Sequence, residues 1–337
     1  MTRYTAQDIR GVVAILPTPS VDGADRWDAV DTVDLAETER LTRSLVEAGV
    51  DVILTNGTFG EGATLTLNEV LAFNDTVVQT VSGRVPVFSG ATTLNTRDTI
   101  DRGRRLRDLG ADGLFVGRPM WVALDDDQIV EYHRSVAEAL PDMAQVAYDN
   151  PSAFKGKMSA DVYARLAQIP QIVASKHMGL GLLGERFTAD LEAVAGRIRL
   201  LPVADDWSTS ARIYPEDIVA CWSGDVSCGP APLLALRDAI FAREWDTADV
   251  IQGEIAHAVE SLFPGGSFEE FSKYNIQIDR AEFEAAGYFR PGPTRAPYTT
   301  APASYLEGGA EVGRRWAALQ HKYVGVQSRE ESTRRAS

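Results

Sequence analysis

Cysteine and histidine are scarce in this chain, and long apolar runs are missing. Two cysteines, Cys221 and Cys228, in 337 residues cannot build a disulfide framework, and no Cys or His pair at zinc spacing lies near them. The four histidines, His133, His177, His257 and His321, show no ligand spacing either. No metal is therefore expected. No stretch reaches the roughly 18 apolar residues that a membrane helix needs. The opening MTRYTAQDIRGVV is charged and lacks the apolar core of an export signal, so a cytoplasmic protein is expected. Basic residues are the minority, 33 against 48 acidic for a net charge of −15, and they are scattered. That balance argues against a nucleic-acid groove or an anionic membrane as partner and favours solubility.

What is present is the material of a large core: 45% of the residues are hydrophobic and 24% charged. Short runs rich in Val, Ile and Ala recur at Gly11–Leu16, Asp51–Thr55, Val85–Ser89, Gly113–Val116, Gln145–Tyr148, Ile172–Ser175, Arg199–Val203 and Ile218–Trp222. Each ends in a breaker and gives way to a segment of helical period. Asp34–Ala48 stops at Gly49 and Asn95–Leu109 at Gly110, as helix C-termini do. Eight strands alternating with helices predict a parallel (β/α)8 barrel, a fold that takes roughly 250 residues. The barrel is expected over 1–240 and a helical extension over 241–326, with amphipathic stretches near Leu233–Ala242, Trp245–Leu262, Phe268–Ala286 and Ala303–Tyr323. The polar tail 327–337 is expected to be disordered.

Barrel enzymes carry their reacting groups at the C-terminal ends of the strands. Three such ends hold chemically capable residues: Asn56-Gly57-Thr58-Phe59-Gly60-Glu61, Tyr148-Asp149-Asn150-Pro151 and Ser175-Lys176-His177. Lys176 leaves an apolar strand, where desolvation would lower its pKa and free the amine for attack on a carbonyl. A solvated lysine at a strand end is the other reading. Tyr148 could pass protons at the barrel mouth, or be a rim aromatic. The Gly57–Gly60 turn offers amides and a hydroxyl for a carboxylate, or is a plain turn. His177, one residue past Lys176, is expected to point away from the interior.

GTFGE, YDNP and ASK, in this order and each at a strand end, resemble the signatures of the dihydrodipicolinate synthase and N-acetylneuraminate lyase superfamily. The resemblance implies that Lys176 forms an imine with a 2-oxo acid, that Tyr148 shuttles protons, and that Thr58 and neighbouring amides bind the carboxylate. It also implies a homotetramer. Phe59 stands where much of that superfamily has a second Thr, so the hydroxyl relay of the synthases is not expected. A closer resemblance, in GTFGEGATLT, GRPMWV, YDNPSAFK, CWSGDVSCGP and FEEFSKYNI, is to the hydratase-aldolases of bacterial polycyclic-aromatic catabolism.

That closer resemblance implies an aryl 2-oxo acid substrate, hydrated across its C=C and then cleaved by retro-aldol chemistry to pyruvate and an aromatic aldehyde. Trp222 would wall the aryl group and Asn275 position the attacking water, or the two serve as rim tryptophan and surface amide. Gly224 joins them as a substrate-binding position. Trp121, beside Met120, would complete the aryl pocket or pack the core. Asn56 and the SKHMG run favour trans-2'-carboxybenzalpyruvate, from phenanthrene, over trans-o-hydroxybenzylidenepyruvate, from naphthalene; Asn56 or Asn275 could donate to the second carboxylate. A polar-substrate aldolase or synthase of the same superfamily fits Phe59, Trp121 and Trp222 less well. A non-catalytic carbonyl-binding protein would not need both Lys176 and Tyr148.

Overall fold

The computed structural model describes the backbone of residues 2–336 and the side chains of residues 2–325. The described residues form eight parallel strands: β1 (Gly11–Ile15), β2 (Val52–Leu54), β3 (Val87–Gly90), β4 (Gly113–Val116), β5 (Ala144–Tyr148), β6 (Ile172–Lys176), β7 (Arg199–Leu201) and β8 (Ala220–Ser223). Each falls within a residue or two of its predicted run, because short Val/Ile/Ala segments buried on both faces have few other ways to satisfy their backbone. Hydrogen bonding follows the order β7-β6-β5-β4-β3-β2-β1-β8. The gap between β7 and β8 is spanned by a parallel bridge from Val203 to Trp222, where Trp222 N–H donates to the Pro202 carbonyl at 2.9 Å. The sheet thus closes into a (β/α)8 barrel.

Two layers of core follow from strand alternation. Inward residues such as Ile15, Leu54, Phe88, Phe115, Val146 and Tyr148 fill the barrel, while outward ones such as Ala14, Ile53 and Ala147 meet the helices. One irregularity interrupts β6. Gln145 pairs with Ile172 but Val146 with Ala174, so β6 holds one extra residue and Tyr148 comes to pair with Lys176. Val173 and Ala174 both face the barrel interior as a result.

Helix ends are built as the sequence implies. Asp34 and Asn95 cap their helices by accepting from Glu37 N–H and Asp98 N–H, and Gly49 closes the first at φ 102°, a conformation that costs a residue with a Cβ.

Past β8 the chain is helical: Ala231–Phe241, Trp245–Val259, Phe268–Lys273, Asn275–Ala286 and Ala303–Ala336. The single stretch expected over Phe268–Ala286 is two helices. Tyr274 leaves helical conformation (φ −133°, ψ 22°), which ends one helix and restarts the next at Asn275. The expectation for 327–337 falls on residues whose side chains lie outside the described set. No helix among the described residues is long and apolar enough to cross a membrane.

The extension is tied to the barrel through Glu61, the last residue of the GTFGE turn. Its fully buried carboxylate accepts from Arg280 on the helix Asn275–Ala286 and, at 3.0 Å, from Arg295; the Arg295 backbone N–H adds a contact at 2.8 Å. Two guanidiniums on one carboxylate, all excluded from water, fix where that helix sits over the barrel mouth.

Candidate active site

A cavity of about 720 Å³ opens at the C-terminal ends of the strands and is roofed by the extension. Lys176 ends β6 on the inward face, only 6% exposed. Its Nζ lies 3.2 Å from the centre of the Trp222 ring and 5.0 Å from that of Tyr148. Burial disfavours the ammonium and pulls the Lys176 pKa down to about 7, against the opposing pull of the Asp279 and Asp149 carboxylates. A substantial fraction of the side chain is therefore free amine at neutral pH.

Tyr148 is the register partner of Lys176 on β5 and equally buried. Its ring stacks on Phe115 at 4.5 Å and meets Phe154 edge-on at 5.1 Å, which leaves the hydroxyl little freedom. Asn150 Nδ2 donates to that hydroxyl at 3.1 Å, and Thr58 Oγ1 lies 2.8 Å from it. With Asn150 as donor, the phenol proton is free to point at Thr58. Burial raises the Tyr148 pKa, so the phenol stays protonated.

Gly57, Thr58 and Phe59 form the turn after β2 and line the cavity, as do Asn56, Trp222, Gly224 and Asn275. Phe59 packs edge-on against Phe283 of the extension at 5.8 Å. It also explains Gly224, where a Cβ would lie 2.8 Å from the Phe59 ring. Trp222 donates its indole N–H to the His177 carbonyl at 2.7 Å, which holds its face beneath the lysine. The Asn56 side-chain carbonyl accepts from Asn74 at 2.6 Å, and its buried Nδ2 has no partner among the described residues. Asn275 begins its helix and donates to Asp279.

Trp121 is placed differently from the expectation. It is 77% exposed and does not line the cavity; Met120 does. The loop turns outward after Pro119, and Lys155 holds the Trp121 carbonyl at 2.8 Å on the outer side. His177 points away from the interior, as alternation requires: Gly179 N–H donates to its Nδ1, so its Nε2–H faces Asp190 at 2.9 Å. Asp149, in the YDNP run, also lies behind the sheet, bound by Arg118 at 3.4 Å and Lys157 at 3.3 Å.

Much of the cavity wall was not legible in the sequence. The acids Asp205, Asp225, Asp279 and Glu282 border it, as do Phe263, Phe268, Phe271 and Phe283. Burial, then repulsion from Asp225, pushes the Asp205 pKa up to about 6. Asp279 and Glu282 are held well above the usual carboxylate range by burial and by the neighbouring acids. A partial signal exists in Ile278-Asp279 and Glu282-Phe283, where acids stand three residues apart beside apolar partners. Among the described residues no His, Cys, Asp and Glu gather into a metal-binding group.

The model of the dihydrodipicolinate synthetase family matches residues 24–192. The chain is 60% identical to the trans-2'-carboxybenzalpyruvate hydratase-aldolase of Nocardioides sp. (strain KP7), over 96% of this chain and 97% of that one. It is 45% identical to the trans-O-hydroxybenzylidenepyruvate hydratase-aldolase of Pseudomonas aeruginosa, over 96% of each. Among solved structures, one described as PhdJ bound to substrate intermediate superposes with a TM-score of 0.94 at 58% identity, covering 96% of this chain and all of that one.

Proposed function

The chain belongs to the dihydrodipicolinate synthetase family, and on that premise we propose that it is a lyase acting on trans-2'-carboxybenzalpyruvate through a Lys176 imine. The observation that carries this reading is the Lys176 amine itself: buried, its pKa drawn down to about 7, and set against Tyr148 in a cavity walled by aromatic rings.

The free amine attacks the 2-oxo carbon, and loss of water leaves an iminium conjugated with the substrate's C=C. That cation withdraws electrons from the alkene, so water adds at the carbon bearing the ring. The β-hydroxy iminium then cleaves between the two carbons that were the alkene. The aldehyde leaves as 2-carboxybenzaldehyde, electrons flow into the iminium, and hydrolysis returns pyruvate and the amine. Thr58 and the adjoining amides receive the pyruvyl carboxylate, while the Tyr148 hydroxyl, held by Asn150 and Thr58, takes the proton of the new hydroxyl as the bond cleaves and returns it to the enamine carbon. Trp222 faces the nitrogen and favours its cationic forms through its π face, and Asn275 orients the water. The reaction needs neither metal nor organic cofactor, and we place it in a cytoplasmic homotetramer.

Two facts support the carboxylated substrate over the hydroxylated one. The 60% relative carries the former name. Asn56 also keeps a free N–H at the cavity wall, able to donate to a second carboxylate. Benzalpyruvates bearing ortho carboxyl, hydroxyl or hydrogen, compared by kcat/KM, test the assignment. A tenfold preference for the hydroxylated substrate would transfer the protein to the hydroxybenzylidenepyruvate group.

A further inference from the structure

Asn150 enters the chemistry above only as one of two groups holding the Tyr148 hydroxyl, yet its side chain is turned in a single direction by the chain around it. Past Pro151 the backbone folds into a turn, and the Phe154 N–H returns to the Asn150 carbonyl at 2.9 Å. Inside that turn the Asn150 Oδ1 accepts two backbone N–H groups, from Ser152 and from Ala153, each at 3.1 Å. The end of an amide that faces two N–H donors is its oxygen, so Nδ2 is the end that meets the phenol, at 3.1 Å. A carboxamide nitrogen only donates. The Tyr148 oxygen is therefore an acceptor toward Asn150, and of its two partners only Thr58, at 2.8 Å, can receive the phenol proton. The same turn sets Phe154 edge-on against the Tyr148 ring at 5.1 Å, so ring and hydroxyl are held by one short piece of chain.

We propose that Asn150 is a positioning residue: by presenting only N–H to the Tyr148 oxygen, it favours the states of turnover in which that oxygen has given up its proton. The inference rests on Tyr148 being the proton carrier. Burial opposes those states by raising the phenol pKa, and the hydrogen bonds with Thr58 and Asn150 work against burial. The two partners differ in what they must do when charge appears on the oxygen. The Thr58 hydroxyl has to turn over, from accepting the phenol proton to giving its own, whereas the Asn150 N–H already points at the oxygen and needs no rearrangement.

The phenolate arises when the imine forms. Nitrogen gives up one hydrogen and the phenol the other, and both leave as water with the former carbonyl oxygen, so amine, phenol and ketone become iminium, phenolate and water. In cleavage the phenolate takes the proton of the new hydroxyl, and iminium and phenolate become enamine and phenol as the aldehyde departs. With pyruvate alone the proton comes from the methyl group instead, and its return restores iminium and phenolate. In D2O the phenol proton exchanges with solvent between passes, so deuterium enters the pyruvate methyl group without any cleavage.

The test follows that deuterium by proton NMR, with the full chain and pyruvate in D2O and the adduct counted in parallel by borohydride trapping and mass. Asn150→Asp keeps an oxygen for Ser152 and Ala153 but turns an acceptor toward the phenol, while Asn150→Ala gives up both turn bonds and leaves room for a water to donate. Exchange per adduct should fall in the order wild type, Asn150→Ala, Asn150→Asp, the last about 10- to 100-fold below wild type, which is what a hydrogen bond to a charged group contributes. All three should form adduct. A residue that served the turn alone would give the opposite order, since Asn150→Asp retains the turn bonds that Asn150→Ala loses. Exchange by Asn150→Asp at the wild-type rate, or faster than by Asn150→Ala, therefore overturns the proposal. If Asn150→Asp does not fold, Asn150→Ala decides alone: slowed exchange with adduct intact supports the proposal, and wild-type exchange overturns it. Tyr148→Phe in the same assay keeps the failures apart, because unchanged exchange in that variant overturns the role of Tyr148 itself. Absence of any wild-type adduct overturns the lysine assignment and is recognised by mass alone.

Discussion

Tyr148 and Lys176 stand opposite each other as Cα partners on the adjacent parallel strands β5 and β6. A phenol and an amine in that relation share one neighbourhood but make no bond to each other: the hydroxyl is engaged by Thr58 and Asn150, and the amine sits over Trp222. The proposed proton carrier and nucleophile are thus positioned independently, and substitutions can separate them.

Lys176→Ala should abolish turnover and borohydride-trapped adduct while the protein remains folded, because the side chain fills cavity wall and not core. Mass spectrometry and a melting curve check both halves. An adduct on another lysine would refute the assignment.

Tyr148→Phe keeps the contacts with Phe115 and Phe154 and removes only the hydroxyl. A fall in kcat of about two to four orders of magnitude is expected, the usual span for a proton-transfer group, with Tm little changed. Near-normal turnover would make Tyr148 a packing residue.

The pH dependence follows from the direction of the Lys176 shift. The amine attacks only when unprotonated, so kcat/KM should rise with pH and level off above a limb near about 7. An unshifted lysine would place that limb above about pH 10. A rate profile from pH 5.5 to 9 tells the two apart.

Glu61→Gln would leave Arg280 and Arg295 buried opposite a neutral amide. Breaking a buried ion pair from one side costs about 3–5 kcal/mol, so a clear drop in Tm is expected. Activity should fall with it, since the helix carrying Asn275 and Asp279 is held down through this carboxylate. An unchanged melting temperature would show that the extension is anchored elsewhere.

How much could be read from the sequence depended on whether a feature was local. Strand positions, caps and the three strand-end motifs are local, and Lys176, Tyr148 and Thr58 met where their strand ends predict. The acids of the helix Asn275–Ala286 were hidden because an acidic residue on an amphipathic helix ordinarily faces water, and only the fold back over the barrel buries Asp279 and Glu282. Trp121 illustrates the reverse. Its place beside Pro119 and Met120 at a strand end gave no hint that the loop turns outward.

The extra residue in β6 decides more than local shape. A strand has two phases, and every side chain belongs to one or the other. Counted from Val173, which faces the interior, regular alternation would send Ala174 outward, Ser175 inward and Lys176 out among the helices. The irregularity resets the count, so Ser175 meets Tyr163 outside the barrel at 3.1 Å and Lys176 enters the cavity. The proposed nucleophile is therefore set by parity as well as by identity. The same residues in unbroken alternation from Ile172 would keep the barrel and every other motif, yet display the amine on the wrong side of the wall.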